Sequence, residues 1–161
     1  MFAPQDWVAL AEGMTRLAER YPITWLLTTS RRTGLKNETE LKSLIPPNIM
    51  LNAVWYNYKP VKVMHAYLGL AANVFCTVDS MSMITEAISS CTKTNSLAPK
   101  TANLDVRDQD AMDKFANMKL LQKIELDSLS NYDYSREELD LTSLVNSHYR
   151  NLAANIEKII R

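Results

Sequence analysis

Two polar segments of the sequence carry side chains that could bind an anionic ligand. Ser30-Arg31-Arg32-Thr33 follows one apolar run, and Asp79-Ser80-Met81-Ser82-Met83 follows another. An arginine guanidinium is always charged and presents a planar fork of donors that matches phosphate oxygens. We therefore expect the arginine pair, with the flanking Ser30 and Thr33 hydroxyls, to clamp a diphosphate. The other interpretation is a solvated basic loop in which one arginine pairs with a carboxylate.

The second segment lies where a helix is predicted to begin. Free backbone N–H groups and the helix dipole attract an anion there, so Ser80 and Ser82 are the expected phosphate partners. Asp79 would repel a phosphate, and we expect it to cap the helix or to hold one of the two arginines. Glu86 shares a helical face with Asp79 and Ser82, where it could accept hydrogen bonds from ribose hydroxyls. An ordinary N-cap followed by a solvated glutamate is the alternative.

The elements that position these segments alternate between strands and helices. Apolar spacing predicts a first helix over residues 4–20, begun by Pro4 and ended by Pro22. Strands are predicted over residues 23–29, 49–56 and 73–78, and helices over residues 38–45, 60–70 and 81–89. Such alternation is typical of an α/β fold with a doubly wound, Rossmann-like parallel sheet. Ligands of such sheets bind outside the carboxyl ends of the strands, which is where both polar segments fall.

The pattern is weaker after residue 91. We expect a short strand at 94–97, a helix at 108–117, and either a strand or a continuation of that helix at 120–126. Ser135 and Glu138 form a capping-box pattern, which predicts that the last helix begins there. An apolar stripe from Leu141 to Ile159 follows, and His148 belongs to it as a packed side chain. His65 falls off the apolar stripe of its own helix, so we expect it on the surface.

Composition limits the function classes. The 161 residues favour one domain, and 18 basic against 18 acidic residues argue against a general nucleic-acid binder. Cys76 is expected in the core and Cys91 near the surface, with no disulfide framework, which favours a reducing cytoplasm. No signal peptide, membrane span, metal-ligand spacing or glycine-rich phosphate loop is recognised, although contact with the inner face of a membrane stays open.

The polar segments also resemble those of a known family. Thr29-Ser30-Arg31-Arg32-Thr33, then Asn57-Tyr58-Lys59-Pro60, then the string from Thr77 to Ala87 resemble the ELM-type family in order and spacing. That family contains plant mitochondrial-fission proteins and bacterial proteins described as outer-core glycosyltransferases. The resemblance covers residues 20–90, and the loop of residues 89–94 departs from it because it has neither glycine nor proline.

The resemblance implies the C-terminal, donor-binding half of a GT-B glycosyltransferase over residues 1–161. The substrate would be a nucleotide-diphosphate sugar, with no cofactor, and the acceptor-binding N-terminal domain would be absent or supplied by another chain. A homo-oligomer is a second expected partner, and a non-catalytic interaction module is the alternative function. Arg31, Arg32, Ser80 and Ser82 would hold the diphosphate, and Glu86 the ribose or sugar. The implied substrate-binding set is Ser30, Arg31, Arg32, Thr33, Asp79, Ser80, Ser82, Met83 and Glu86.

Overall fold

The computed structural model describes the backbone of residues 2–160 and the side chains of residues 2–151. Its helices are α1 (Pro4–Arg20), α2 (Gly34–Leu44), α3 (Met64–Leu70), α4 (Met81–Ser89), α5 (Val106–Asn117) and α6 (Thr142–Ile160). Its strands are β1 (Trp25–Thr28), β2 (Met50–Val54), β3 (Asn73–Thr77), β4 (Lys93–Ala98) and β5 (Leu121–Glu125). Single 3-10 segments occupy Pro47–Ile49, Leu126–Asn131 and Tyr134–Arg136. Strands and helices alternate along the chain, as the sequence predicts.

The strands form two parallel sheets. β1 pairs with β2, and β4 lies between β3 and β5 in a three-stranded sheet. Strands joined by helices and paired in parallel confirm the Rossmann-like α/β fold class. The ambiguous segment at 120–126 is strand β5 rather than an extension of α5.

Helix α1 has the predicted bounds and supplies much of the core. Its buried side chains are Trp7, Leu10, Ala11, Met14 and Leu17. The helix packs on the 3-10 segment Leu126–Asn131, in which Leu129 is fully buried. A Cβ atom on Gly13 would lie 2.8 Å from the Leu129 side chain, so this position needs glycine for the close approach of the two segments.

The structure places several helix starts at other residues than the sequence predicts. Helix α2 begins at Gly34, four residues before the predicted start, because the first polar turn leads directly into it. Helix α3 begins at Met64, so residues 60–63 are not helical. In the loop that lacks glycine, Cys91 has a φ of 59°, the left-handed region that glycine adopts most easily.

The capping-box prediction at Ser135 is wrong. Ser135 lies in a 3-10 turn, where Asp133 accepts from its backbone N–H and its hydroxyl, and α6 begins only at Thr142. The Glu137 side chain is 4% exposed; its carboxylate accepts from the Tyr132 hydroxyl at 2.5 Å and from Lys93 Nζ at 2.7 Å. Burial, with the Glu137 carboxylate beside it, raises the pKa of Tyr132 above its usual range. Glu137 therefore fastens this segment to β4 instead of opening a helix.

The two histidines and two cysteines test the expected packing. His65 is exposed, as predicted, whereas His148 is also exposed and the prediction that it packs in the core is wrong. Cys76 is buried, Cys91 is partly exposed, and both are free thiols. Among the described residues, none of the helices combines the length and hydropathy that crossing a bilayer requires.

Candidate functional site

The first polar turn connects β1 to α2. The Ser30 N–H donates to Thr33 Oγ1 at 3.1 Å, and the Thr33 N–H donates to the Ser30 carbonyl at 3.0 Å. Arg31 and Arg32 lie at the tip of this closed turn and are exposed. Within the part of the chain that the structure describes, no carboxylate lies within ion-pair distance of either guanidinium. Both positive charges are therefore available to a ligand.

A buried carboxylate holds this turn in place. Glu38 is fully buried on α2 and accepts hydrogen bonds from the Thr29 hydroxyl and from the backbone N–H and side-chain amide of Asn57. Asn57 also donates to the Ser30 carbonyl at 3.1 Å, and Thr29 Oγ1 accepts from the Tyr56 N–H at 2.9 Å. The network joins the ends of β1 and β2 to α2, so it fixes where the arginines emerge.

Sequence reasoning missed Glu38 and the role of Asn57. Helix α2 was predicted to start at Glu38, where an acidic residue is common. With the helix starting at Gly34, Glu38 instead shares the inner face with Leu41, three residues later, and both are buried. The sequence signal for this role was the spacing of Glu38, three residues before Leu41 and seven before Ile45, which places a charged residue on the same helical face as two apolar ones.

The second polar turn connects β3 to α4 and is held mainly by its backbone. The Ser80 N–H donates to the Thr77 carbonyl, and the Ser80 carbonyl accepts from the Ile84 N–H, each at 3.0 Å. Among the side chains that the structure describes, none caps α4: Ser80 is its N-cap residue, buried, without a side-chain capping bond, and Asp79 is exposed. The first-turn N–H groups of α4 are thus free of a capping oxygen. The expectation that Asp79 caps the helix or pairs with an arginine is not met.

The thiol of Cys76 is influenced by charges from both turns. Burial is the main cause that raises the pKa of Cys76 to about 12, to which the Asp79 charge adds and which the Arg32 charge opposes. One residue from each turn therefore acts on the same buried sulfur atom. Cys76 Sγ lies 3.9 Å from the Ser80 carbonyl, directly under the second turn.

A cavity of about 460 Å³ opens between β1 and β3 and extends to both turns. Of the predicted substrate-binding set, Ser30, Thr33, Asp79, Ser80 and Met83 line it. Arg31, Arg32, Ser82 and Glu86 lie outside its lining. Glu86 Oε1 instead lies 3.8 Å from His65 Nδ1, at the surface.

The arrangement has the features of an anion site beside an apolar chamber. Two exposed arginines without an ion-pair partner among the described residues lie on the first turn, and α4 begins at the second turn without a capping side chain. Hydroxyl groups of both turns line the chamber. Within the described residues, no group of three His, Cys, Asp or Glu side chains is placed to hold a metal ion.

Comparison with known proteins agrees with the motif order. A model of the family described as mitochondrial fission ELM1 matches residues 1–148. The chain belongs to the mitochondrial fission ELM1 family. No curated protein and no solved structure gives a significant match. The ELM1 match covers both polar turns, the buried Glu38 network and the five strands β1 to β5.

Proposed function

We propose that this ELM1-family chain is the nucleotide-sugar-binding domain of a GT-B-like glycosyltransferase that acts in cell-envelope polysaccharide or lipooligosaccharide synthesis. One observation carries the proposal. Arg31 and Arg32 are exposed, have no ion-pair partner among the described residues, and lie on the turn after β1, while the uncapped α4 begins at the turn after β3. Both turns follow the carboxyl ends of parallel strands and reach the same cavity. Helix N-termini and arginine forks are two recurrent partners of diphosphates.

The chemistry follows from where charge develops. In sugar transfer, the bond between the anomeric carbon and the diphosphate oxygen breaks, and a bond to the acceptor hydroxyl oxygen forms. The negative charge on the departing diphosphate is stabilised by Arg31, Arg32 and the α4 N-terminus, which is electrostatic catalysis. The acceptor proton goes to a base on an acceptor-binding domain, the partner that this proposal requires. The reaction would take place in the cytoplasm, at the inner face of a membrane.

Calorimetric titration with UDP, GDP and CMP tests the proposal. We expect saturable binding of one nucleotide and a loss of roughly tenfold or more in affinity for Arg32→Ala, because a hydrogen bond to a charged group contributes about 1.5–3 kcal/mol. Glu86→Ala should weaken the binding of the same nucleotide. Arg107→Ala, which removes an exposed arginine from α5, is the matched control and should bind like the parent. Equal affinities for Arg32→Ala and Arg107→Ala would refute the diphosphate site.

The second candidate function is a non-catalytic interaction module. The description of the family as mitochondrial fission proteins favours it, as do the exposed side chains of Leu51 (66%) and Leu70 (74%) at the rim of the cavity. A stable oligomer by light scattering, together with no affinity for any of the three nucleotides, would support this function over the first.

A further inference from the structure

The cavity runs along the edges of two strands rather than across the face of a sheet. Every residue from Ile23 to Ser30 and from Asn73 to Thr77 lines it. Successive side chains of a strand point to opposite faces, so a cavity that touches all of them lies along the strand edge. The inner edges of β1 and β3 therefore face each other across it, with backbone N–H and C=O groups between them.

The order of the strands gives the cavity a place in the sheet. Both polar turns lie at one end of the cavity, so β1 and β3 run in the same direction, and the lateral order is β2-β1-cavity-β3-β4-β5. The common doubly wound order is 3-2-1-4-5-6. The five strands occupy five of those positions, and the cavity occupies the position of the first strand.

Helix α1 lies where the helix after such a first strand belongs. Trp7, Leu10 and Met14 on its buried face line the cavity, and its carboxyl end leads to β1. A right-handed crossover from a strand in the cavity, through α1, would deliver the chain to β1 as the next strand outward. The connection is thus in place for a strand that pairs with both inner edges.

Two buried polar atoms without partners belong to residues of the cavity lining. Trp7 Nε1 and Asn73 Oδ1 have no hydrogen-bond partner among the described residues, and Trp7 is only 7% exposed. Leaving such a group unsatisfied costs about 1–3 kcal/mol, so a ligand with both donors and acceptors is favoured. A peptide backbone offers both. The apolar residues of β1 are only half-buried, whereas four residues of β4, which has neighbours on both sides, are buried.

We infer that this cavity is a binding site for one extended, parallel β-strand of mainly apolar residues from a polypeptide segment outside residues 1–161. A strand covered on both faces in a parallel sheet is a near-continuous apolar run, which matches the lining of leucine, methionine and aromatic side chains. Binding by strand addition gains affinity from backbone hydrogen bonds to the free edges. The strand site does not rest on the proposed function.

Hydrogen exchange with a synthetic strand peptide tests the site. The probe carries about five valine or isoleucine residues, roughly 17 Å when extended, between flanking lysines. Its matched control is the same peptide N-methylated at every central residue, which cannot donate backbone hydrogen bonds to either edge. We expect saturable binding of the probe to the full chain and exchange slowed roughly tenfold or more at the amides of β1 and β3. Amides of β4, already paired on both sides, should not change.

Four results would overturn the inference. The first is equal protection by the N-methylated peptide, and the second is protection confined to the outer edges at β2 and β5. The third is a dimer of the chain alone that already protects β1 and β3, since the occupant would then be a second copy. The fourth is displacement of the probe peptide by dodecyl maltoside when the bound peptide gives no protection of the β1 and β3 amides, since the cavity would then hold an apolar ligand.

Nucleotide titration in the presence and absence of the peptide separates this inference from the proposed function. Peptide binding without nucleotide affinity in either condition refutes the donor site and leaves the strand site standing. Nucleotide affinity without peptide binding refutes the strand site alone. Nucleotide affinity that rises at least about tenfold with bound peptide supports both, because the strand would complete the sheet edge below the two turns.

Discussion

The two polar turns lie at neighbouring strand ends, but they are held in different ways. Side chains from three elements hold the turn after β1: Glu38 on α2, Thr29 beyond β1 and Asn57 beyond β2. The backbone of the segment itself holds the turn after β3, and no side chain caps α4. Both turns nevertheless present groups suited to an anion.

The difference teaches how each kind of anion partner is positioned. Arginines are long and flexible, so they need a fixed base, and the buried Glu38 network supplies one. Helix N–H groups are positioned by the helix itself and need no supporting side chains. We therefore expect substitutions in the Glu38 network of the first turn to affect folding, and substitutions at the start of α4 to affect ligand binding.

Glu38→Ala should have the largest effect on stability. It leaves the Thr29 hydroxyl and both Asn57 donors without their buried acceptor and opens a hole behind Leu41. We expect a loss of about 3 kcal/mol in the free energy of unfolding, measured by urea denaturation. The first turn should also loosen, which hydrogen exchange at the Asn57 amide would report.

Glu40→Ala is the control for this substitution. Glu40 lies two residues away on the same helix, and its side chain accepts no hydrogen bond within the described residues, so the change should cost less than about 0.5 kcal/mol. Glu38→Gln keeps the shape and should fall between the two. If Glu38→Ala and Glu40→Ala unfold at the same urea concentration, the contrast between the two turns is lost.

Reactivity of the two cysteines tests how firmly the second turn stays closed. The pKa of Cys76, raised to about 12 by burial, leaves roughly one thiolate in ten thousand molecules at pH 8. Cys91 is partly exposed, so at pH 8 it should react with an aromatic disulfide reagent at least about tenfold faster than Cys76. Single variants Cys76→Ser and Cys91→Ser separate the two signals, and urea should abolish the difference. Equal rates in the native protein would mean that the second turn opens readily.

The strand–helix order was predictable because apolar periodicity reports burial directly. Helices α1 and α4 were predicted with their observed bounds, since each has an uninterrupted apolar stripe and a polar residue or a proline at its start. The bounds of α2 and α3 were wrong: the first polar turn leads directly into α2 at Gly34, and residues 60–63 are not helical. The partition into two sheets was not predictable, since pairing between distant strands leaves no mark in a local pattern.

At the candidate site, the sequence identified the turns but not their support. Residue type and position at a strand end were enough to select Ser30 and Thr33, and Asp79 and Ser80, which the structure places on one cavity. Glu38 was not predicted as a site residue because its role depends on hydrogen bonds with Asn57, which lies in another loop. The hydrogen bonds of Glu137 were not predicted for the same reason, because its partners Tyr132 and Lys93 are brought to it by the fold.

Ser82→Ala should have the smallest effect on stability. It is the substitution that best distinguishes an effect on folding from an effect on ligand binding. Ser82 is exposed in the first turn of α4 and its hydroxyl makes no hydrogen bond within the described residues, so the free energy of unfolding should change by less than about 0.5 kcal/mol. If its hydroxyl contacts a diphosphate, nucleotide affinity should fall about tenfold, since hydrogen bonds to charged groups contribute about 1.5–3 kcal/mol. A matched Thr85→Ala change, one turn further along the helix, should alter neither quantity much. A stability loss above about 1 kcal/mol for Ser82→Ala would place a structural role in the second turn and remove the contrast with the first.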